Sequence, residues 1–383
     1  MAEPRAIEPI DLKPRLERAV EFAARQVRAT IEGAPDFCPM YTVEGRWKHT
    51  GALWTDWCAG FHAGMMWRIA GRGGDPWWRA AAEHYSKLIE HKQFDRDVHD
   101  LGFIFLNTYE PWYQQTGDPR LLDVLIQAGR TLALRFNPNG KYLRSFVAPE
   151  SLFIDIMMNV PIIFYAARAL DDRALHDLAV AHCRTTERTI VRADGGTAHE
   201  GIFNPETGAF LHESTHQGCR ADSEWTRGLA WSLYGFGTVF TFTRDPADLA
   251  VARRNADHFL TRLDDSFVPP WDFDAAAPDR AADSSAGAIA ASGLWNLSEY
   301  VAEIDAEAAL RYRTGALSIL DALLTDEFTA WTTPGWEGVL KHGVYHFHKK
   351  LGIDESVMWG DFFFLEAVDK VLGACRTGSG PPI

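Results

Sequence analysis

Residues 228–243 read GLAWSLYGFGTVFTFT and run straight into Arg244-Asp245-Pro246-Ala247. The first segment has no polar face, so a helix built from it must be enclosed. The tetrapeptide after it opens a new helix: Asp accepts hydrogen bonds from free N–H groups, and Pro suits the first turn. Gly74-Asp75-Pro76-Trp77 and Gly117-Asp118-Pro119-Arg120 repeat the signal, and Asp171-Asp172 and Asp305 begin helices in similar places. Segments after these starts are amphipathic, as in PRLLDVLIQAGRTL from Pro119. Segments before them are apolar nearly all round: Leu101–Tyr109, Leu152–Ala167, Gly228–Thr243 and Ala286–Leu297. The alternation of inner and outer helices recurs about six times. It predicts an all-α (α/α)6 barrel of six inner and six outer helices, closed rather than an open solenoid because the inner segments need enclosure.

The rest of the chain fits one catalytic domain over 1–383, with no interdomain linker. Two long loops, Asp194–Asp222 and Asp264–Ser285, are the expected carriers of function. The final RTGSGPPI is expected to fray. Among 383 residues, 38 Lys+Arg face 52 Asp+Glu, a formal charge of −14 that argues against a nucleic-acid partner. Residues 228–243 are the longest stretch free of charge and fall short of the ~18 apolar residues of a membrane span. The N-terminus lacks a basic-then-apolar signal. Five scattered cysteines with no CxxC pair imply reduced thiols and a cytoplasmic protein. Fourteen Trp exceed what a core needs and suggest a groove of flat faces on which sugars stack.

Asp155 lies in SLFIDIMMNVPII, inside a segment that otherwise reads as buried. Lost hydration raises its pKa and suits it to give up a proton and then take one back. Asn159, four residues on, shares its face and is placed to hold the carboxyl. His99-Asp100-Leu101-Gly102-Phe103 opens another inner helix, where Asp100 by itself reads as a cap. Gly102 costs helix stability, which hints at a close backbone approach. The N-termini of inner helices gather at one end of such a barrel, so Asp100 and Asp155 are expected to face one cavity.

Thr215-His216-Gln217-Gly218 precedes Trp225-Thr226-Arg227 and Trp231. Arg227 and Trp231 share a helix face and would offer a carboxylate clamp beside a sugar platform. His199 adds a loop donor near neutral pKa. His342, His346 and His348 are read as part of a loop over the cavity rather than a metal site.

Together these residues resemble the unsaturated glucuronyl hydrolases, glycoside hydrolase family 88. The resemblance runs in order through Asp56-Trp57-Cys58-Ala59-Gly60-Phe61, His99–Phe103, Ile154-Asp155 with Asn159, Thr215–Gly218, Trp225–Gly228 with Trp231, Trp271-Asp272-Phe273, Asp283-Ser284-Ser285 and Trp359-Gly360-Asp361. It implies hydration of the C4=C5 double bond of a terminal unsaturated uronic acid on a di- or oligosaccharide left by a lyase. Asp155 is then the acid/base and Asp100 the second carboxylate. His99, His199, His216, Gln217, Arg227, Trp57, Trp225 and Trp231 bind the uronate, and Phe146 and Lys349 the sugar beyond it. No metal or organic cofactor is implied. The chain is read as a monomer or weak homodimer.

Two departures stand out. Phe146 replaces a Trp usual in the family, and Gly343–Lys349 lacks the serines of members that favour sulfated disaccharides, although Lys349 and Lys350 remain to meet an anion. The rivals are an unsaturated rhamnogalacturonyl hydrolase and a sugar 2-epimerase or isomerase with a histidine base. The HDLGF, THQG and WTRG runs favour the glucuronyl type.

Overall fold

The computed structural model describes residues 7–51 and 56–377. Each inner helix is followed by an outer partner. The pairs are α2 (Ala59–Gly71) with α3 (Trp77–Leu88), and the broken helix α4 (Leu101–Phe105) and α5 (Tyr109–Thr116) with α6 (Pro119–Ala133). They continue as α7 (Pro161–Leu170) with α8 (Arg173–Ile190), α9 (Thr226–Thr243) with α10 (Pro246–Arg262), and α11 (Ser284–Val301) with α12 (Ala306–Leu323). The last inner helix, α13 (Met358–Thr377), is backed by the first helix of the chain, α1 (Pro9–Gly33). The inner helices pack in succession, and α13 returns to α2, so the ring is closed.

The Asp signals act as expected. Asp118, Asp172, Asp245 and Asp305 accept from Arg120 N, Leu175 N, Ala247 N and Ala308 N and start α6, α8, α10 and α12. Among the described residues no helix is long and apolar enough to cross a membrane. The last six residues of the RTGSGPPI tail lie outside the described residues, and Arg376 belongs to the end of α13.

Two inner segments differ from expectation, and both differences shape the site. Leu101–Tyr109 is not one helix: Leu106–Thr108 interrupts it between α4 and α5. Leu152–Ala167 is not one helix either. Ser151–Phe153 pairs as a strand with Glu200–Phe203, Ile154 N donates to His199 O, and a 3-10 turn over Ile154–Met158 follows. The α-helix starts only at Pro161, whose ring fills a first-turn place that needs no N–H. The sheet bonds hold the apolar run extended, so the period of apolar residues was outvoted by a partner strand from the Asp194–Asp222 loop. That loop also supplies the third strand, Phe210–Ser214.

Candidate active site

One end of the barrel collects the starts of the inner helices around a cavity of about 140 Å³. Trp57 reaches it just ahead of α2, Asp100 at the head of α4, and Asp155 from the 3-10 turn before α7. Trp225, Arg227 and Trp231 come from the head of α9, and His216 and Gln217 from the loop before it. The hairpin Gly343–His346/Leu351–Glu355, just before α13, roofs it with Lys349. His99 and Phe146 line it as well. Phe103, Phe153 and Tyr345 also line the cavity without having been assigned to it, as does His346 from the stretch read as a loop over the cavity. Phe103 and Phe153 belong to apolar runs, and Tyr345 and His346 to the stretch singled out for its missing serines.

The carboxyls differ in surroundings. Asp155 Oδ1 is buried with no hydrogen-bond partner among the described residues. Burial pushes Asp155 up to about 7, against the pull of the Arg227 cation. Asp100 is pushed well above the carboxylate range by burial and by Asp155. It stands at the head of α4 but makes no cap bond; its Oδ1 lies 3.5 Å from His99 Nε2. The capping reading of Asp100 therefore fails. Phe146 N donates to His99 Nδ1 (3.1 Å), which leaves the ring proton on Nε2, toward Asp100.

Two expected residues stand behind the wall. Asn159 does not hold the Asp155 carboxyl. Its Oδ1 accepts from Phe103 N (2.8 Å), and its Nδ2 donates to the Asp155 carbonyl (3.1 Å), tying two segments by their backbones. The 3-10 turn, in place of an α-helix, accounts for the difference. A Cβ on Gly102 would come within 2.5 Å of Asn159 Cα, so the absent side chain is what allows this contact. His199 is not a donor near neutral pKa. It is packed between Phe153 and Trp225 (ring centroids 4.5 and 4.4 Å), and burial drives its pKa well below the ordinary value. Its Nδ1 accepts from His216 N and Gln217 N (3.1 Å each), so it shapes the loop that presents both residues.

The three histidines that line the cavity are likewise held toward the neutral form. Burial lowers His99 and His216, and takes His346 down to about 3. Both ring nitrogens of His346 are buried without a partner among the described residues. The His342–His346–His348 group is dispersed: His342 pairs with Asp354, and His348 Nε2 sits 2.8 Å from Gly218 O. Positive charge comes from Lys349, whose Nζ is 3.4 Å from His216 Nε2, and from Arg227. Arg227 donates to Val344 O (2.5 Å) and Tyr345 O (2.9 Å) and pairs with Asp283 (3.2 Å). Those bonds use three of its five N–H groups.

Motif residues outside the cavity anchor its loops. Asp272 accepts from Cys219 N (2.8 Å) and Ser223 Oγ (2.7 Å). Asp361 accepts from Val339 N and Leu340 N (2.8 Å each), and Asp283 ties the head of α11 to Arg227. Asp56 pairs with Lys92.

A closed helical ring with paired raised carboxyls in an aromatic-walled cavity has close counterparts. Residues 38–264 match the family model of Glycosyl Hydrolase Family 88. The unsaturated glucuronyl hydrolase of Formosa agariphila is 30% identical over 324 residues, which cover 82% of this chain and 80% of that protein. The crystal structure of the unsaturated glucuronyl hydrolase of Bacillus sp. GL1, responsible for the degradation of glycosaminoglycan, aligns with a TM-score of 0.86 at 27% identity, covering 92% of this chain and 96% of that one. An unsaturated glucuronyl hydrolase specific for heparin aligns with a TM-score of 0.87 at 28% identity, covering 95% and 98%. With the family model spanning more than half its length, the chain belongs to glycosyl hydrolase family 88.

Proposed function

We propose that this chain hydrolyses lyase-generated oligosaccharides that end in a 4,5-unsaturated uronic acid, by hydrating the C4=C5 vinyl ether. One observation carries the reading: a carboxyl pushed up to about 7, with an unpartnered buried oxygen, sits beside a second raised carboxyl in a cavity walled by flat rings. Family membership supplies the hydrolase class.

Asp155 gives its proton to C4, and positive charge develops at C5 and the ring oxygen. Water adds to C5 and returns a proton to the Asp155 carboxylate. The resulting hemiketal opens to a C5 ketone, and the hemiacetal left at C1 releases the remaining sugar. The anomeric carbon is not attacked, so the carboxylate-spacing rule of ordinary glycosidases has no bearing. Asp100, pushed well above the ordinary carboxylate value by burial and by Asp155, orients the sugar hydroxyls by hydrogen bonding. Arg227 and Lys349 meet the uronate carboxylate, Trp57, Trp225 and Trp231 its faces, and neutral His99 and His216 its hydroxyls. Phe146 borders the next sugar. His346, with both nitrogens unsatisfied, is a further sugar contact.

The missing serines of Gly343–Lys349 favour non-sulfated sugars beyond the uronate. The five free thiols support a cytoplasmic setting. The test is the ultraviolet absorbance of the conjugated C4=C5 bond in lyase-generated disaccharides of chondroitin, hyaluronan, heparin, gellan and pectin. Loss of absorbance on at least one supports the reading, and constant absorbance on all of them overturns it.

A further inference from the structure

Behind the wall that carries Asp100 lies a cation that the reaction above does not use. Arg135 follows the end of α6 and is 6% exposed. A buried guanidinium is costly unless a carboxylate answers it, yet Arg135 makes no ion pair among the described residues. All its hydrogen bonds go to backbone carbonyls: Nε donates to Arg144 O (2.9 Å), Nη2 to Ser145 O (2.5 Å) and Nη1 to Arg96 O. A lysine or an amide could meet one of these; the planar fork spans all three.

Both segments that it joins run straight into the site. Arg96 leads to His99 and Asp100, and Arg144 and Ser145 lead to Phe146. They meet where Phe146 N donates to His99 Nδ1 (3.1 Å), with His99 Nε2 3.5 Å from Asp100 Oδ1. The Ser145 side is braced from behind, since its N–H donates to Ser151 O (2.7 Å) and its hydroxyl to Ser151 Oγ (2.7 Å). The Arg96 side is not. Over residues 96–98, the other hydrogen bond among the described residues is a local one, from Asp97 N to Asp95 Oδ1 (2.8 Å). Arg135 is therefore what ties the approach to His99 and Asp100 onto the braced segment. Its charge bears on the same pair. Burial and Asp155 raise Asp100 while Arg135 opposes them, and burial lowers His99 with Arg135 adding to the effect. Asp100, Asp97 and Asp95 attract the guanidinium, and Arg144 repels it.

We propose that Arg135 is a positioning residue for the reaction: by drawing the Arg96, Arg144 and Ser145 carbonyls together, it fixes His99 in its Nε2–H form toward Asp100 and sets the place of Asp100 in the site. The catalytic consequence rests on the hydration reading; the effect on His99 does not. Full-length wild type, Arg135→Lys and Arg135→Gln, each carrying ¹⁵N-labelled histidine, are compared by NMR, with the His99 signal identified by its loss in His99→Gln. The same proteins are assayed by the absorbance of an unsaturated disaccharide. Wild-type His99 should show the Nε2–H tautomer and no titration between about pH 5.5 and 8. In Arg135→Lys, which keeps the charge and loses the fork, His99 should populate both tautomers. KM should rise about tenfold, as loss of charged hydrogen bonds implies, with a smaller change in kcat, and Arg135→Gln should do at least as much. A variant that only weakens the fold would lose activity in step with its folded fraction and leave KM and the His99 tautomer as in wild type; that result overturns the proposal. So does a wild-type His99 that carries its proton on Nδ1 or titrates in that range, a measurement that stands if both variants fail to fold. Constant absorbance with wild type on every disaccharide refutes the hydration reading, and the His99 spectrum then still decides what Arg135 does.

Discussion

Asp155 and Glu366 are carboxyls largely withdrawn from water at opposite ends of one barrel, yet they are shifted in opposite directions. Burial raises Asp155 to about 7, opposed by the Arg227 charge and, less, by a backbone hydrogen bond. Burial would raise Glu366 too, but Lys370, Arg68 and the hydroxyls of Ser292 and Tyr234 override it and bring it down to about 2. Desolvation is common to both; partners decide the outcome. One end keeps a carboxyl protonated toward neutral pH, and the other keeps a charge satisfied in place.

The comparison breaks most visibly at the donor. Asp155→Asn keeps the shape and removes the proton, so kcat should fall by roughly 10²–10⁴-fold with an unchanged circular dichroism spectrum. Residual activity near wild type would take the acid/base role from Asp155. At the other end, Glu366→Gln leaves two cations without their carboxylate and should cost about 3 kcal/mol of stability in urea denaturation, while turnover per folded molecule persists. A stable variant with reduced kcat would reverse the two assignments. Arg227→Lys keeps the charge beside Asp283 but loses the planar fork, so KM should rise about tenfold with a smaller change in kcat. An unaltered KM would remove Arg227 from carboxylate recognition.

The smallest effect sharpens the contrast through pH. The folded-state pKa of Asp155 lies above its ordinary value of 3.8, so its contribution to stability is full below about pH 4 and is lost as pH rises to about 7. For Glu366 the ordinary value is 4.5 and the folded value about 2, so its contribution is present above 4.5 and lost as pH falls toward 2. The melting temperature of Asp155→Asn relative to wild type should therefore climb between pH 4 and 7. That of Glu366→Gln should climb as pH drops below 4.5. Parallel slopes would mean that the two sites share one electrostatic environment.

The ring was legible in the sequence because its signals are local. Asp-Pro starts and segments without a polar face hold whatever the neighbours do: the helices from Pro119 and Pro246 formed where they were read, and Ala286–Leu297 lies inside the helix Ser284–Val301. The turn at Asp155 was not legible, since a strand about fifty residues later draws Ser151–Phe153 into a sheet. The same dependence on distant segments hid the work of Asn159 and His199, both of which act through backbone atoms rather than toward the cavity. Tyr345 was missed, and His346 was placed only within a loop over the cavity, because nothing in GVYHFHK says which side chains of a hairpin point inward.

The Asn159 amide joins the backbone of Phe103 to that of Asp155, and Gly102 lets the two strands of chain touch. Asp100 and Asp155 thus ride on a single rigid block. Lys349 and His346 arrive from a hairpin far along the sequence, bonded to Arg227, Asp283 and Gln217 rather than to that block. Asp155 and the roof over it are therefore separable inheritances. A lineage can exchange the hairpin, and with it the sugars it admits, while the acid beneath stays tuned.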